Sequence, residues 1–311
     1  MAIVFTIRGS SGGAWRCAWC KTGGSVFSVT KGGSIMRSVV AMLRKEWLEN
    51  PLVLRLPLFM LACGALLFIS LMSNTTLQHN MFFEMSLGGD VSDIHKELGD
   101  DVNMLITGGA GLLSMLLAIQ YFPRTLRKER AEGSIMFWRS MPVSDLKTHL
   151  VKLTFGLLVI PLVCSGLVLA ADFMLWLLNI STDQQLALLY RQTSLGYVLL
   201  HWVEFLARMA LAGVLMLPLA LCAMAISQKV NSPLVILFIA IYALRWMPIA
   251  MFGYYGLDQF FSAVLYLPLH AIIASNPFSA IPEAGLANVG IYAFIGILAW
   301  TASLKFSRTI Q

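Results

Sequence analysis

Charged residues are scarce in this 311-residue chain: they make up 12% of it, whereas hydrophobic residues make up 58%. A soluble domain usually carries about a quarter charged residues, so this composition excludes an ordinary soluble protein. The clearest apolar stretches are about 18 to 30 residues long, near the length at which a helix crosses the roughly 30 Å hydrocarbon layer of a bilayer. The sequence therefore predicts an all-α integral membrane protein that crosses the bilayer several times.

Missing motifs limit the chemistry of the chain. It has no GxxxxGK[ST] motif, which excludes ATP hydrolysis by a P-loop in this chain, and no HExxH zinc motif. Cys17 and Cys20 have the spacing of a metal or redox pair, but no second pair of ligands follows them. We therefore expect no cofactor, no metal and no catalytic residue in this chain.

The first 35 residues differ from the rest, because they contain seven glycines and no long apolar run. They also lack the continuous apolar segment of a signal peptide. We interpret residues 1–35 as a disordered leader, or as the result of a start codon placed too far upstream, with Met36 as the true start. Residues 36–308 then form one transmembrane domain, whose six predicted spans are 56–73, 103–122, 153–178, 195–226, 232–252 and 286–304.

An amphipathic pattern from Met36 to Asn50 precedes the first span. Apolar side chains share one helical stripe, basic side chains lie largely on the other side, and Pro51 ends the pattern. Such an interfacial helix can lie along the cytoplasmic surface of the lipid bilayer, and the same pattern suits the start of the first span. The residues that characterise it are Arg37, Arg44, Lys45 and Trp47.

Basic residues are distributed unevenly between the two sides of the predicted membrane. With the N-terminus inside, 14 basic residues beyond the leader fall on the inner side, against only Lys96 and Arg191 on the outer side. The positive-inside rule therefore predicts six spans with both termini in the cytoplasm. This asymmetry also accounts for the net charge of +6, so we expect no nucleic-acid partner.

The segment 253–285 does not fit a simple span. Its apolar run from Phe260 to Ala274 has only 15 residues, and Pro268 is expected to interrupt it. A seventh span here would place Lys305 and Arg308 outside, against the charge rule. We favour a re-entrant or interfacial helical hairpin on the outer face over a seventh span.

The long loop between the second and third predicted spans has the most distinctive sequence. It is dense in charges of both signs up to Glu132 and then becomes apolar and aromatic. Aromatic side chains can anchor a cytoplasmic docking surface while charges set its register. A solvated basic loop that only enforces topology is the alternative. The residues that would form the docking surface are Arg127, Glu129, Arg130, Glu132, Gly133, Phe137, Trp138 and Pro142.

The order of motifs in this loop resembles the type 2 ABC transporter permease family. The block ERAEGS at 129–134 is followed by SMPVS at 140–144, and Lys152 lies at the start of the next span. Members of the family commonly show Glu-x-Gly-Thr and then Leu-Pro-Val-Ser, where this chain has Ser134 and Met141 in place of Thr and Leu. The resemblance covers roughly residues 36–308.

The resemblance implies a permease subunit of an ABC exporter in a bacterial inner membrane, without its own ATPase. Two permease subunits, identical or different, would pair, and two separate ABC-type ATPase subunits would carry ATP and Mg²⁺. The loop from Arg127 to Pro142 would seat in the ATPase, flanked by the interfacial helix. The substrate is not implied; the apolar spans favour an amphipathic or hydrophobic molecule.

Ionisable residues inside the predicted spans are costly there and are often functional. Glu204 and Arg208 stand four residues apart in the orientation that favours an ion pair, with His201 on the same face. Asp172 and Arg245 are expected to pair with each other or to extend outwards. Alternatively, these five residues line a translocation path. Two rival functions stay open: a membrane-embedded enzyme that uses Asp172, His201 and Glu204, and a scaffold subunit without transport.

Overall fold

A computed structural model of the chain describes residues 31–73, 91–131, 144–181, 194–230 and 232–309. These ranges are helical and contain no strand. The described residues from Val39 onwards belong to one compact unit. The helices are α1 (Lys31–Glu49), α2 (Leu52–Ser73), α3 (Val91–Ala131), α4 (Asp145–Ser181), α5 (Leu195–Ser227), α6 (Pro233–Phe252), α7 (Gly256–Ile273), α8 (Ala280–Ala284) and α9 (Leu286–Thr309).

The described residues confirm the prediction of an all-α protein with several apolar helices of membrane-spanning length. Among the described helices, seven are long and apolar enough to cross a bilayer: α2 to α7 and α9. The helix beyond the six predicted spans is α7, which lies in segment 253–285, where the sequence favoured a hairpin. The expected break at Pro268 is wrong, because α7 continues through this residue for 18 residues in all. Helix α1 also begins earlier than predicted, at Lys31 rather than Met36.

Helix α6 exposes an apolar surface that suits contact with lipid. Only Pro233 is buried along its 20 residues. Large apolar side chains such as Phe238, Trp246 and Phe252 are exposed instead, the last at 78% of its surface. A patch of this kind is unfavourable in water, whereas lipid tails solvate it without cost.

Helix α5 lies at the centre of the bundle. Helices α3, α4, α7 and α9 all pack against it, and Phe205, Ala212 and Met224 are completely buried. Close approach of α9 requires a residue without a side chain, because a Cβ atom on Gly296 would lie 2.8 Å from the Cα atom of Pro218. Helix α5 therefore carries the buried His201 side chain into the interior of the protein.

Helix α4 contains one turn of π-helix at Phe155–Val159, immediately before Pro161. Proline has no N–H group, and its ring clashes with the carbonyl group four residues earlier in a regular α-helix. The wider π turn accommodates this clash within a buried helix. It separates the polar beginning of α4, which carries His149 and Lys152, from the apolar part, which carries Asp172 and continues to Ser181.

Candidate functional site

Two buried polar clusters stand out in the otherwise apolar bundle. The first, which we name the Glu46–Lys152 cluster, consists of Glu46 on α1, Tyr121 and Thr125 on α3, and Lys152 on α4. The Lys152 ammonium group lies 2.7 Å from Glu46 Oε1 and donates to Thr125 Oγ1 at 2.8 Å. The Tyr121 hydroxyl donates to Glu46 Oε2 at 2.8 Å. Each charge therefore has a partner of the other sign and at least one neutral partner.

The Glu46–Lys152 cluster joins the end of α1 to the last turns of α3 and the beginning of α4, the two helices that flank segment 132–143 in the sequence. Glu46 is 4% exposed and Lys152 is 1% exposed, so both charges are withdrawn from solvent. Isolated charges would be strongly unfavourable there, and only close pairing makes their burial tolerable. The cluster consequently fixes α1 against the end of α3 and the beginning of α4.

A second set of contacts holds the beginning of α4 from the other side. His149 Nε2 and Ser303 Oγ on α9 share a hydrogen bond of 3.0 Å. Gln228, just after α5, donates to the same Ser303 Oγ at 2.7 Å. Because all three side chains are buried, the first turns of α4 are attached to α1, α3, α9 and the end of α5.

Most of the predicted docking surface falls outside the described residues, namely Glu132, Gly133, Phe137, Trp138 and Pro142. The backbone of Arg127, Glu129 and Arg130 forms the last turns of α3, but their side chains are not described, and neither is that of Arg37. On α1, Arg44 is exposed, Lys45 lies 3.5 Å from Glu49, and Trp47 packs against the core. The interfacial helix is therefore packed on the bundle through Trp47 and Glu46.

The second cluster lines a cavity of about 430 Å³ between α3, α5 and the end of α7, which we name the His201 cavity. His201 Nδ1 lies 2.6 Å from Asp172 Oδ2, and His201 Nε2 lies 2.9 Å from Thr107 Oγ1. Tyr197 stacks on the His201 ring at 5.9 Å, and its hydroxyl accepts a bond from Asn103 Nδ2 at 2.6 Å. Polar groups from three helices thus meet around one imidazole.

Arg208 closes one wall of the His201 cavity. It forms the predicted ion pair with Glu204 at 2.8 Å, which confirms the i, i+4 contact. It also donates to the backbone carbonyl groups of Ile272, Ala274 and Ser275, at and just after the end of α7. The arginine therefore caps the C-terminus of α7, where carbonyl groups have no partner within the helix.

The expected pairing of Asp172 with Arg245 is wrong. Asp172 is fully buried and binds His201, whereas the Arg245 guanidinium lies 2.6 Å from Asp258 on α7 and donates to Ser262 at 2.9 Å. The physical reason is the tight turn between α6 and α7, where Gly253 has φ 65° and brings the two helices back antiparallel. Of the five intramembrane candidates, the structure brings four together around the His201 cavity and places Arg245 elsewhere.

An apolar groove of about 510 Å³ runs between α2, α3 and α4, on the opposite side of α3 from the His201 cavity. Small residues such as Gly64, Gly109 and Ala171 leave its floor open, and larger side chains such as Phe68 and Leu105 form its walls. Its lining is almost wholly apolar, so it suits a lipid chain or another hydrophobic molecule rather than a polar ligand.

Searches against protein-family models, curated proteins and solved structures find no match to this chain. Within the described ranges, no group of three or more His, Cys, Asp or Glu side chains could hold a metal ion.

Proposed function

We propose that this protein is the transmembrane permease subunit of an ATP-driven ABC exporter in a bacterial inner membrane. Separate ATPase subunits would dock on the loop from Arg127 to Pro142, and a second permease subunit, identical or different, would complete the assembly. ATP and Mg²⁺ belong to the ATPase subunits in this proposal, and this chain contributes no catalytic residue to ATP hydrolysis.

The Glu46–Lys152 cluster is the observation that carries the proposal. A loop that transmits the closure of an ATPase dimer must be backed by elements that move together, otherwise its displacement is lost in local flexing. The cluster ties α1 to both helices that flank segment 132–143. A buried ion pair adds little net stability compared with apolar packing, so its value lies in fixing one arrangement of these helix ends.

The two cavities support a route for substrate through the membrane domain. The apolar groove between α2, α3 and α4 suits the hydrophobic part of an amphipathic substrate. The His201 cavity lies on the other side of α3, with Asp172 behind it and Glu204 and Arg208 in its wall, and it offers polar groups to such a substrate. We assign these four residues to the translocation path and Arg245 to the contact between α6 and α7.

The proposed topology keeps six spans, with both termini in the cytoplasm and α7 as part of the outer hairpin. Seven crossings would move Lys305 and Arg308 to the outer side and reverse the charge asymmetry of the last helix. Glu204→Gln distinguishes this proposal from a scaffold without transport. The exporter proposal expects the variant to alter export and to leave assembly intact, whereas a scaffold would show neither change.

Site-specific photo-crosslinking in cells tests the docking surface. With p-benzoylphenylalanine in place of Trp138 or Phe137, we expect ultraviolet light to link the protein to a separate chain that bears a P-loop. The matched control is the same replacement at Trp246, which is 64% exposed on α6 and would face lipid. Capture of the same ATPase from position 246, or no ATPase from positions 137 and 138, would contradict the proposal.

A further inference from the structure

The three side chains at the centre of the His201 cavity have the arrangement of a nucleophile, a general base and an orienting carboxylate. Thr107 Oγ1 lies 2.9 Å from His201 Nε2, and His201 Nδ1 lies 2.6 Å from Asp172 Oδ2. Both distances fall within the range that defines an activated hydroxyl nucleophile. We propose that Thr107, His201 and Asp172 form a catalytic triad that cleaves carboxylic esters with an apolar acyl group.

The two contacts of His201 suit the tautomer that such a triad needs. With Asp172 as a carboxylate, which can only accept hydrogen bonds, and a neutral imidazole, the proton lies on Nδ1 and is donated to Asp172. Nε2 then carries a lone pair, and the Thr107 hydroxyl donates to it. An imidazole held in this state can accept the hydroxyl proton as the oxygen attacks a carbonyl carbon.

Asp172 is shielded from the cavity, whereas Thr107 and His201 line it, as a catalytic triad requires. Asp172 is fully buried, lies behind the histidine and does not line the cavity, so it can orient the imidazole without touching a substrate. Its Oδ1 atom has no hydrogen-bond partner among the described residues. Thr107 and His201 both line the cavity, which places the reacting oxygen and the base where a ligand can reach them.

Polar hydrogens for the developing oxyanion come from the same cavity wall. Asn103 lies one helical turn before Thr107 on α3, on the same face, and its amide donates to the Tyr197 hydroxyl at 2.6 Å. The Asn103 amide and the Tyr197 phenol both line the cavity together with Thr107. Groups of this kind stabilise the negative charge of a tetrahedral intermediate. The rim residues Met104, Ile272 and Ile273 provide an apolar surface for the acyl chain.

The chemistry balances with water as the only co-reactant. Thr107 Oγ1 forms a bond to the ester carbonyl carbon and passes its proton to His201 Nε2. When the tetrahedral intermediate collapses, the bond to the alcohol oxygen breaks and this oxygen takes the proton from His201. Water then attacks the acyl-threonine, His201 accepts its proton, and Thr107 leaves as a hydroxyl group with that proton. The products are a carboxylic acid and an alcohol.

This inference gives the His201 cavity a chemical role beyond the exporter proposal. Because adduct formation on Thr107 needs no ATPase partner, an alkyl fluorophosphonate probe tests it separately, on the purified full-length protein in detergent. We expect mass spectrometry to find the phosphonyl adduct on Thr107, in the wild type and in Thr107→Ser. Thr107→Val and His201→Gln should abolish the adduct, and Asp172→Asn should slow its formation by at least about a hundredfold.

Ser114→Ala provides the control, because this variant removes another buried hydroxyl from α3, seven residues further along, and should react at the wild-type rate. Thermal unfolding of each variant establishes that it is folded. The absence of an adduct on Thr107 in both the folded wild type and Thr107→Ser would overturn the proposal. So would an adduct on Thr107 that forms at an unchanged rate in folded His201→Gln.

Discussion

Lys152→Met is expected to lower the free energy of unfolding by about 3–5 kcal/mol, the cost of removing one partner from a buried ion pair. Methionine fills the space of the lysine stem but leaves the Glu46 carboxylate in a site where only 4% of the residue is exposed. The remaining donors to this carboxylate, the Tyr121 hydroxyl at 2.8 Å and the Thr125 hydroxyl and Asn50 amide at 3.4 Å, carry no charge and cannot replace an ammonium group 2.7 Å away. Unfolding in mixed detergent micelles measures the effect.

Two matched variants show whether the Lys152→Met loss comes from the buried charge. Adding Glu46→Gln to Lys152→Met removes the unpaired charge and should recover at least half of the loss, a coupling typical of residues in direct contact. Lys45→Met removes a partially exposed lysine from α1, the helix that carries Glu46, and should cost less than about 1 kcal/mol. If Lys152→Met unfolds within 1 kcal/mol of the wild type, the cluster does not fix α1 as we argue.

Arg208→Met is expected to release the end of α7 and the segment that follows it. The guanidinium bonds three carbonyl groups, those of Ile272, Ala274 and Ser275, and is itself 13% exposed. The bonds to Ile272 and Ala274 are part-buried and the bond to Ser275 is exposed, and a buried carbonyl group without a donor costs about 1–3 kcal/mol, so we expect a total loss of about 2 kcal/mol. Hydrogen exchange measures the release directly, as faster exchange of the amides from 270 to 285.

Glu204→Gln is the control for Arg208→Met. The Glu204 side chain is 52% exposed, so its ion pair is screened by solvent and its loss should cost less than about 1 kcal/mol. The carbonyl contacts of Arg208 remain in this variant, and exchange from 270 to 285 should keep its wild-type rate. Equal acceleration in both variants would show that the ion pair, rather than the helix cap, holds α7.

Contacts within one helix could be predicted from the sequence, and contacts between helices could not. The Glu204–Arg208 ion pair follows from a spacing of four residues, which places both side chains on one face. The pairs Asp172–His201 and Glu46–Lys152 join residues 29 and 106 positions apart, and no local pattern relates them. Thr107 could not be predicted as a site residue for the same reason. A threonine in an apolar span has no distinctive sequence pattern, and only the fold brings it within 2.9 Å of His201.

The expected break of α7 at Pro268 is wrong because prolines interrupt helices less often in a membrane than in water. Pro57, Pro123, Pro218 and Pro248 lie within helices of this protein as well as Pro268. In a membrane protein, a helix is retained through a proline because the lipid offers no alternative partner for its backbone groups, and neighbouring helices satisfy the carbonyl group that is released. Apolar spans, by contrast, were predictable, since their length and composition depend only on the sequence.

Co-purification in mild detergent tests the central claim most directly. The exporter proposal predicts that the tagged protein retains a P-loop ATPase in stoichiometric amount, and that Glu132→Ala with Gly133→Leu removes it. Asp183→Ala with Gln184→Ala, in the predicted loop on the other side of the membrane, should leave the ATPase bound. An intact, monodisperse protein that carries no ATPase would contradict the claim and would make the enzyme hypothesis at His201 the leading one.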